Sequence, residues 1–236
     1  MCKSFVLLLV LASSNLPNAR AQVAIEKLDD RLRVMIGGHM FTDYVFTNAS
    51  RPYLYPIYGS GQLEMTRNWP MRETPGEERD HPHHRGLWYS HGSVNGVDFW
   101  SELPGAGKII HRGFDSISDG QESATVQSHN DWVDSKGTII CSDKRTLRFS
   151  GSKVKSSSRV IDFEVTIRAS RGKVILGDTK EGTMAIRVPE SMTVKKGAGK
   201  ILTGEGHQDK TAWGKRAPWC DYSGPTTKGP IAGVAI

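Results

Sequence analysis

The chain has 236 residues and a formal charge of +6, from 31 Lys and Arg against 25 Asp and Glu. Hydrophobic residues make up 37% and charged residues 24%, which excludes a disordered, collagenous or coiled-coil chain. The length suits one domain able to bury a core without disulfide staples.

Residues 1–21 read as a secretory signal. Lys3 supplies the positive start, Phe5 to Ala12 an apolar run, and Ala19-Arg20-Ala21 the small-x-small pattern of a cleavage site. The run is eight residues long, far short of the roughly 20 that span a bilayer. The expectation is therefore an exported protein, secreted or periplasmic, with no membrane span. Cleavage would remove Lys3, Arg20 and Cys2, leaving 29 basic residues against 25 acidic ones, a charge of +4. These basic residues are scattered, with no block of like charge, so no nucleic-acid partner is expected. Cys141 and Cys220 remain; export permits a disulfide between them, and two unpaired thiols are equally compatible with the sequence.

The mature chain is expected to form one domain over residues 22–236. Arg31-Leu32-Arg33-Val34-Met35-Ile36 alternates polar and apolar before a Gly37-Gly38 turn. Asn95-Gly96 marks a second turn, followed by a strand-like run at Val97-Asp98-Phe99-Trp100. Ser150 to Ser158 reads as a polar hairpin tip. Val160 to Arg168 alternates over nine residues, and Thr183 to Val188 repeats the pattern until Pro189 closes it. Gly229 to Ile236 ends on an apolar strand-like run, which suits a docked terminal strand or a chain cut in mid-sheet. No stretch keeps a helical period for three turns. The fold class is all-β, an antiparallel sandwich or barrel.

The segment richest in chemistry is Asp80-His81-Pro82-His83-His84-Arg85-Gly86-Leu87-Trp88-Tyr89-Ser90-His91-Gly92, which holds four of the eight histidines. Histidine titrates near neutral pH and is the commonest metal ligand, so such clustering points to a site. Pro82 places the segment in a loop or at a sheet edge. If extended, it would put His81 and His83 on one face and His84 on the other. Three roles are open. Asp80, His81, His83, His84 and His91 supply the ligand types for a divalent metal such as zinc, copper or iron. The same histidines can act as acid–base groups in a polar cleft. They can also be solvated or structural, with Trp88 and Trp100 simply in the core.

Arg51-Pro52-Tyr53-Leu54-Tyr55-Pro56 and Thr66-Arg67-Asn68-Trp69-Pro70 add aromatics and arginines. Downstream, Gly204 to Asp209, with His207, and Thr211 to Pro225, with Trp213 and Arg216, form Gly-rich aromatic loops. Aromatic faces and charged forks in such loops suit a sugar, and they also suit a protein interface. Glu181, ahead of the Thr183–Val188 strand, offers a carboxylate for proton transfer; an exposed turn acid paired with Lys180 or Arg187 explains it equally well.

At these residues the chain resembles the exported bacterial family labelled PmoA-like, "methane oxygenase PmoA". The matching stretches are Arg51 to Pro56, Met65 to Pro70, Asp80 to Trp88, His91-Gly92, Asn95 to Trp100, Glu181-Gly182 and Trp213 to Arg216. The label borrows from a membrane-spanning enzyme subunit, which a chain without a spanning helix does not match. The resemblance implies a galactose-mutarotase-like supersandwich, and that the chain stops short of strands and loops that family members carry at the C-terminus. It also implies a carbohydrate or other small-molecule substrate and epimerase, lyase or hydrolase-type chemistry. His83, His84, His91 and Glu181 are then the expected catalytic groups. Arg51, Arg67, Asn68, Arg85, Trp88, Asn95, Trp213 and Arg216 are the expected substrate-binding ones. The alternatives are a metal-dependent oxidoreductase, as the label suggests, and a non-catalytic glycan-binding module.

Overall fold

The computed structural model describes residues 22–151, 158–195, 198–227 and 229–236. Residues 1–21, expected to be a secretory signal, and residues 152–157 of the expected polar tip lie outside the described residues. Strands come in the order β1 (Val23–Lys27), β2 (Arg31–Ile36), β3 (His39–Val45), β4 (Tyr53–Ile57), β5 (Leu87–Tyr89), β6 (Lys108–Ser118) and β7 (Ser123–Val133). There follow β8 (Ile139–Gly151), β9 (Arg159–Arg168), β10 (Met184–Ile186), β11 (Lys200–Thr203), β12 (Cys220–Pro225) and β13 (Ile231–Ala235). They build a six-stranded sheet in the order β1-β2-β3-β4-β5-β10, a four-stranded sheet β6-β7-β8-β9 and a three-stranded sheet β11-β12-β13. All pairings within them are antiparallel. Helical structure among the described residues is confined to short 3-10 turns, so the all-β sandwich expected from the alternating runs is the observed fold.

Local chemistry explains the best-defined strands. In β2, Leu32, Val34 and Ile36 are buried, while Arg31 and Arg33 on the opposite face both reach Asp43 of β3. The hairpin between β2 and β3 needs left-handed backbone, which Gly37 (φ 59°) and Gly38 (φ 78°) supply. The Val160–Arg168 alternation lies within β9. The Thr183–Val188 run narrows to the three residues of β10. The Asn95-Gly96 turn forms, with φ of 51° and 80°, and Val94 bridges Val97 across it. The strand expected over 97–100 does not form. Asp98 accepts the backbone N–H groups of Trp100 (2.7 Å) and Ser101 (3.1 Å) and bends the chain away from any ladder.

The six-stranded and four-stranded sheets face each other over the main core, which includes Leu32, Val34, Phe41, Leu54, Leu147 and Phe149. Phe41 meets Phe149 edge to face at 6.2 Å. A second apolar cluster gathers Val94, Phe99, Ile109, Trp132 and Cys141. Along β7 and β8 the inward positions between these two clusters are polar: Ser128, Asn130, Asp143 and Arg145, all buried. Asp143 accepts hydrogen bonds from Asn130 (2.6 Å), Trp132 (2.7 Å) and both Nε and Nη2 of Arg145 (3.1 and 3.0 Å). The Arg145 guanidinium also lies 5.7 Å from the ring centre of Tyr89 and 6.0 Å from that of Phe163. Cys141 in the second cluster and Cys220 at the start of β12 are both free thiols.

Because the Asp143–Arg145 pair has no access to water, removing one partner strands the other charge. Asp143→Ala is expected to lower the unfolding free energy by about 3–5 kcal/mol, as read from urea denaturation of the intact chain. A loss under 1 kcal/mol would show that the pair is hydrated.

Candidate functional site

The outer face of the six-stranded sheet, away from the main core, carries Val45, Tyr53, Trp88 and Trp100 in a third cluster, flanked by Tyr55, Met71 and Ala185. Loops cover this face. The loop that runs from Thr66 to Gly86 brings in the histidines, and it does so by a turn rather than an extended stretch. The His84 N–H donates to the His81 carbonyl at 2.9 Å. Pro82 takes the second position of that turn, where its fixed φ fits. The expected alternation of His81 and His83 against His84 is therefore not observed, and all three rings are brought together. His84 lies between His81 (4.8 Å, 15° between planes) and Trp88 (5.0 Å, 25°), with His83 edge-on at 4.3 Å. Gly86 then leads straight into β5. Its φ is 56°, and a Cβ there would stand 2.1 Å from the Leu54 carbonyl oxygen.

Two arginines expected to meet substrate make their hydrogen bonds and ion pairs inside the protein. Arg51 is buried. It donates from Nη1 to the carbonyls of Phe99 and Trp100 and to Ser90 Oγ, and from Nη2 to the His83 carbonyl at 3.1 Å. Arg67, also buried, pairs with Asp80 (3.0 Å) and Glu190 (2.7 Å) and donates to the Glu78 carbonyl. Asn68 accepts from Tyr55 (2.8 Å) and Arg72 (2.7 Å) and donates to Thr74 (2.9 Å). Arg85 forms a two-pronged pair with Glu102 at 3.1 and 3.0 Å. Asn95 exchanges hydrogen bonds with Lys173 and Ile175 of a neighbouring loop. Trp88 is buried beneath His84. Of the residues expected to bind substrate, Arg51, Arg67, Asn68 and Trp88 are buried.

A model described as a family of unknown function, DUF6807, matches residues 31–236. The chain belongs to that family. No curated protein and no solved structure matches it. The DUF6807 match contains every candidate site residue, from Arg51 to Arg216.

Within this DUF6807 chain, Asp80 anchors the histidine turn. Arg187 grips both of its oxygens (2.8 and 2.7 Å), and His81 Nδ1 lies 2.8 Å away. Burial alone would raise its pKa, but the hydrogen bonds from His81 and Arg187 and the charge of Arg67 hold it well below the usual carboxylate range. His84 is pushed down to about 3, first by burial and then by the positive field of His83, Arg187, His81 and Arg51. Its Nε2 is buried with no hydrogen-bond partner. His83 is also lowered, by burial first and then by Arg51 and His81, against the opposing pull of Glu102 and Glu181. Of these influences that of Glu181 is the weakest; its side chain is 35% exposed and pairs with Lys180 at 3.4 Å.

His91 stands apart from the stack. One ring nitrogen, Nε2, lies 2.8 Å from the Gly177 carbonyl and must donate to it, and Nδ1 faces Thr183 Oγ1 at 3.4 Å. The five proposed metal ligands do not converge: among the described residues no group of three or more His, Cys, Asp or Glu side chains is placed to hold a metal ion. The His81 and His84 rings stack face to face with His83 edge-on, Asp80 is gripped by two arginines, and His91 binds backbone. Trp213, 88% exposed, Arg216 and His207 belong to the segment between β11 and β12. Among the described residues no hydrogen bond, ion pair or ring contact joins them to the histidines.

Beside Arg67 opens a polar cleft of about 650 Å³, lined in part by Glu64, Thr66, Asn68, Arg72, Glu77 and Glu190. Glu190 and Glu102 carry no sequence signal beyond position: Glu190 follows Pro189, and Glu102 follows Trp100 by two. Arg187, a possible partner for Glu181 in the sequence, pairs with Asp80.

Since the folded pKa of His84 lies below its free value of 6.5, the folded state binds fewer protons than the unfolded one between about pH 6.5 and 3. Stability is present above pH 6.5 and is lost as pH falls. His111, lowered to about 4 by burial, adds a parallel arm. Urea titrations from pH 7.5 to 4.5 are expected to show this decline, and His84→Phe to make it shallower. An unchanged slope in that variant would mean that His84 titrates normally. Arg51→Ala leaves buried carbonyls unmatched and is expected to cost about 3–5 kcal/mol, with a change in tryptophan emission from Trp88 and Trp100.

Proposed function

We propose that this DUF6807 member is an exported, carbohydrate-active protein in which His83 and Glu181 perform acid–base chemistry of the epimerase, lyase or hydrolase type. The observation that supports it is a half-buried imidazole, His83, in a turn that also brings in His81 and His84 and is fastened by buried Arg51 through the His83 carbonyl at 3.1 Å. Desolvation and the neighbouring cations keep His83 neutral at pH 7, the form that accepts a proton. Glu181, partly exposed, is the complementary group. His84 supports the His83 ring from its place between His81 and Trp88. The polar cleft beside Arg67, rich in carboxylate, amide and hydroxyl groups, suits sugar hydroxyls. The resemblance to the PmoA-like proteins, with its sugar-binding supersandwich, and the secretory N-terminal sequence support the same reading. Arg51, Arg67 and Arg187 act here as positioning residues.

Incubation with a panel of glycans is expected to change their reducing-end or anomeric composition. His83→Ala and Glu181→Gln are each expected to lower the rate at least 100-fold, within the usual range for a lost acid–base group, with unchanged melting temperature. Turnover kept within threefold in both variants would sink the assignment. Glycan retention without turnover in the unmodified protein would leave a binding module instead.

A further inference from the structure

The four-stranded sheet ends on an open strand. β9 runs over ten residues, Arg159–Arg168, and among the described residues it pairs with β8 alone. Its register along β8 is unbroken and the strand contains no proline, so neither a bulge nor a missing N–H blunts this edge. Burial shows how little covers it. On the inner face of β8, Asp143, Arg145, Leu147 and Phe149 are all buried. Their partners one strand further out, Ile167, Val165, Phe163 and Ile161, are only half-buried. The apolar inner stripe loses its cover at the last strand.

The outer face of β9 carries charges of both signs. Asp162 and Glu164 lie near the middle of the strand and Arg168 at its C-terminal end, all three exposed. Among the described residues none of these three side chains has a hydrogen-bond or ion-pair partner, in contrast to Arg31, Arg33 and Asp43 on the other sheet.

We propose that β9 pairs antiparallel with β9 of a second copy of this chain, across a twofold axis at Val165, so that two four-stranded sheets join into one. Charge selects this register. Directly opposed residues of an antiparallel pair share a face of the sheet, so the axis must pass through a residue position. An axis at Phe163 sets Asp162 against Glu164 twice, and an axis at Glu164 sets that carboxylate against its own copy. Like charges directly opposite are destabilising. An axis at Val165 instead sets Asp162 against Arg168 twice and Glu164 against Thr166. On the inner face it sets Phe163 against Ile167 twice and Val165 against itself, the kind of apolar pair that stabilises sheets. An axis at Thr166 also matches Glu164 with Arg168, but it keeps only Glu164 to Arg168 in the ladder, where the axis at Val165 keeps Asp162 to Arg168. The contact is isologous and closed, the geometry of the commonest dimers. A second copy is the occupant that the edge fits, because the strand with the matching charges in the matching order is β9 itself. β9 belongs to the sheet that faces the one carrying the histidine turn, so the inference is independent of the acid–base reading.

Sedimentation equilibrium of the full chain is expected to show a monomer–dimer equilibrium. Asp162→Arg and Arg168→Asp each set like charges opposite one another and are each expected to weaken the dimer at least tenfold. The double variant restores opposite charges and is expected to return the dissociation constant to within threefold of the unaltered protein, a rescue that general damage to the fold would not give. Val165→Cys places a thiol opposite its own copy and is expected to yield a disulfide-linked dimer on mild oxidation; Phe163→Cys, opposite Ile167, is not. A chain that stays monomeric at every concentration would overturn the proposal and leave the edge to a strand from another protein. So would a dimer indifferent to both charge reversals, or one that Thr166→Cys cross-links in preference to Val165→Cys. The sedimentation measurement uses the unaltered protein and stands even if a variant fails to fold.

Discussion

The loop layer over the six-stranded sheet rests on one buried guanidinium. Tyr53, Trp88 and Trp100 must be kept from water, yet no second sheet covers them, and covering loops lack a ladder in which to pair their carbonyls. Arg51 supplies the missing donors. Its fork binds the Phe99 and Trp100 carbonyls from one loop and the His83 carbonyl from another, so a single side chain fixes the histidine turn against the aromatic cluster. Burial lowers its pKa only to about 10, which leaves it charged at neutral pH. Arg67 does the same on the other flank, tying Asp80 to Glu190. A lysine could not replace either, since an ammonium lacks the planar fork that reaches several fixed acceptors at once.

These fasteners also set the local charge. Arg51 and Arg187 place positive charge beside the imidazoles, and burial works in the same direction, so His83 and His84 are both held neutral. Asp80 and Glu102 satisfy the arginines without cancelling that bias. Glu181 differs from Asp80 and Glu102 in that its ion pair is with a lysine, Lys180.

The strands were legible because half-buried sheets impose a period of two, as Arg31 to Ile36 and Val160 to Arg168 display. The density of histidines marked the site for the same reason that such clusters are rare elsewhere. What sequence could not show was burial of charge. Arg51 and Arg67 look like solvent-facing residues, because arginine is seldom interior, and only the carbonyls gathered around them reveal otherwise. Asp143 and Arg145 are a sharper case. Composition assigns them to the surface, whereas their odd positions on β8, in step with Cys141, Leu147 and Phe149, assign them to the interior. The register wins, since turning two residues outward would flip their apolar neighbours too. At Val97 to Trp100 a strand-like composition misled in the other direction, because Asp98 offers the backbone N–H groups of Trp100 and Ser101 a local partner.

The two faces of the protein meet in β5. Its three residues alternate between them: Leu87 enters the main core, Trp88 supports His84, and Tyr89 lies against the Arg145 guanidinium. Pairing with β4 on one side and β10 on the other, Leu54 and Ile186 opposite Leu87, Tyr53 and Ala185 opposite Trp88, locks this register. A slip of one residue would send Trp88 into the core and remove the floor of the histidine stack. Gly86 is what allows so short a strand to begin immediately after the turn, because any side chain there would strike the Leu54 carbonyl. The distance from the catalytic candidates to the core is therefore set by covalent geometry over two residues, His84 to Gly86, and not by a flexible linker. A loop-borne site gains the rigidity of a strand-borne one when its chain has no slack left before the sheet.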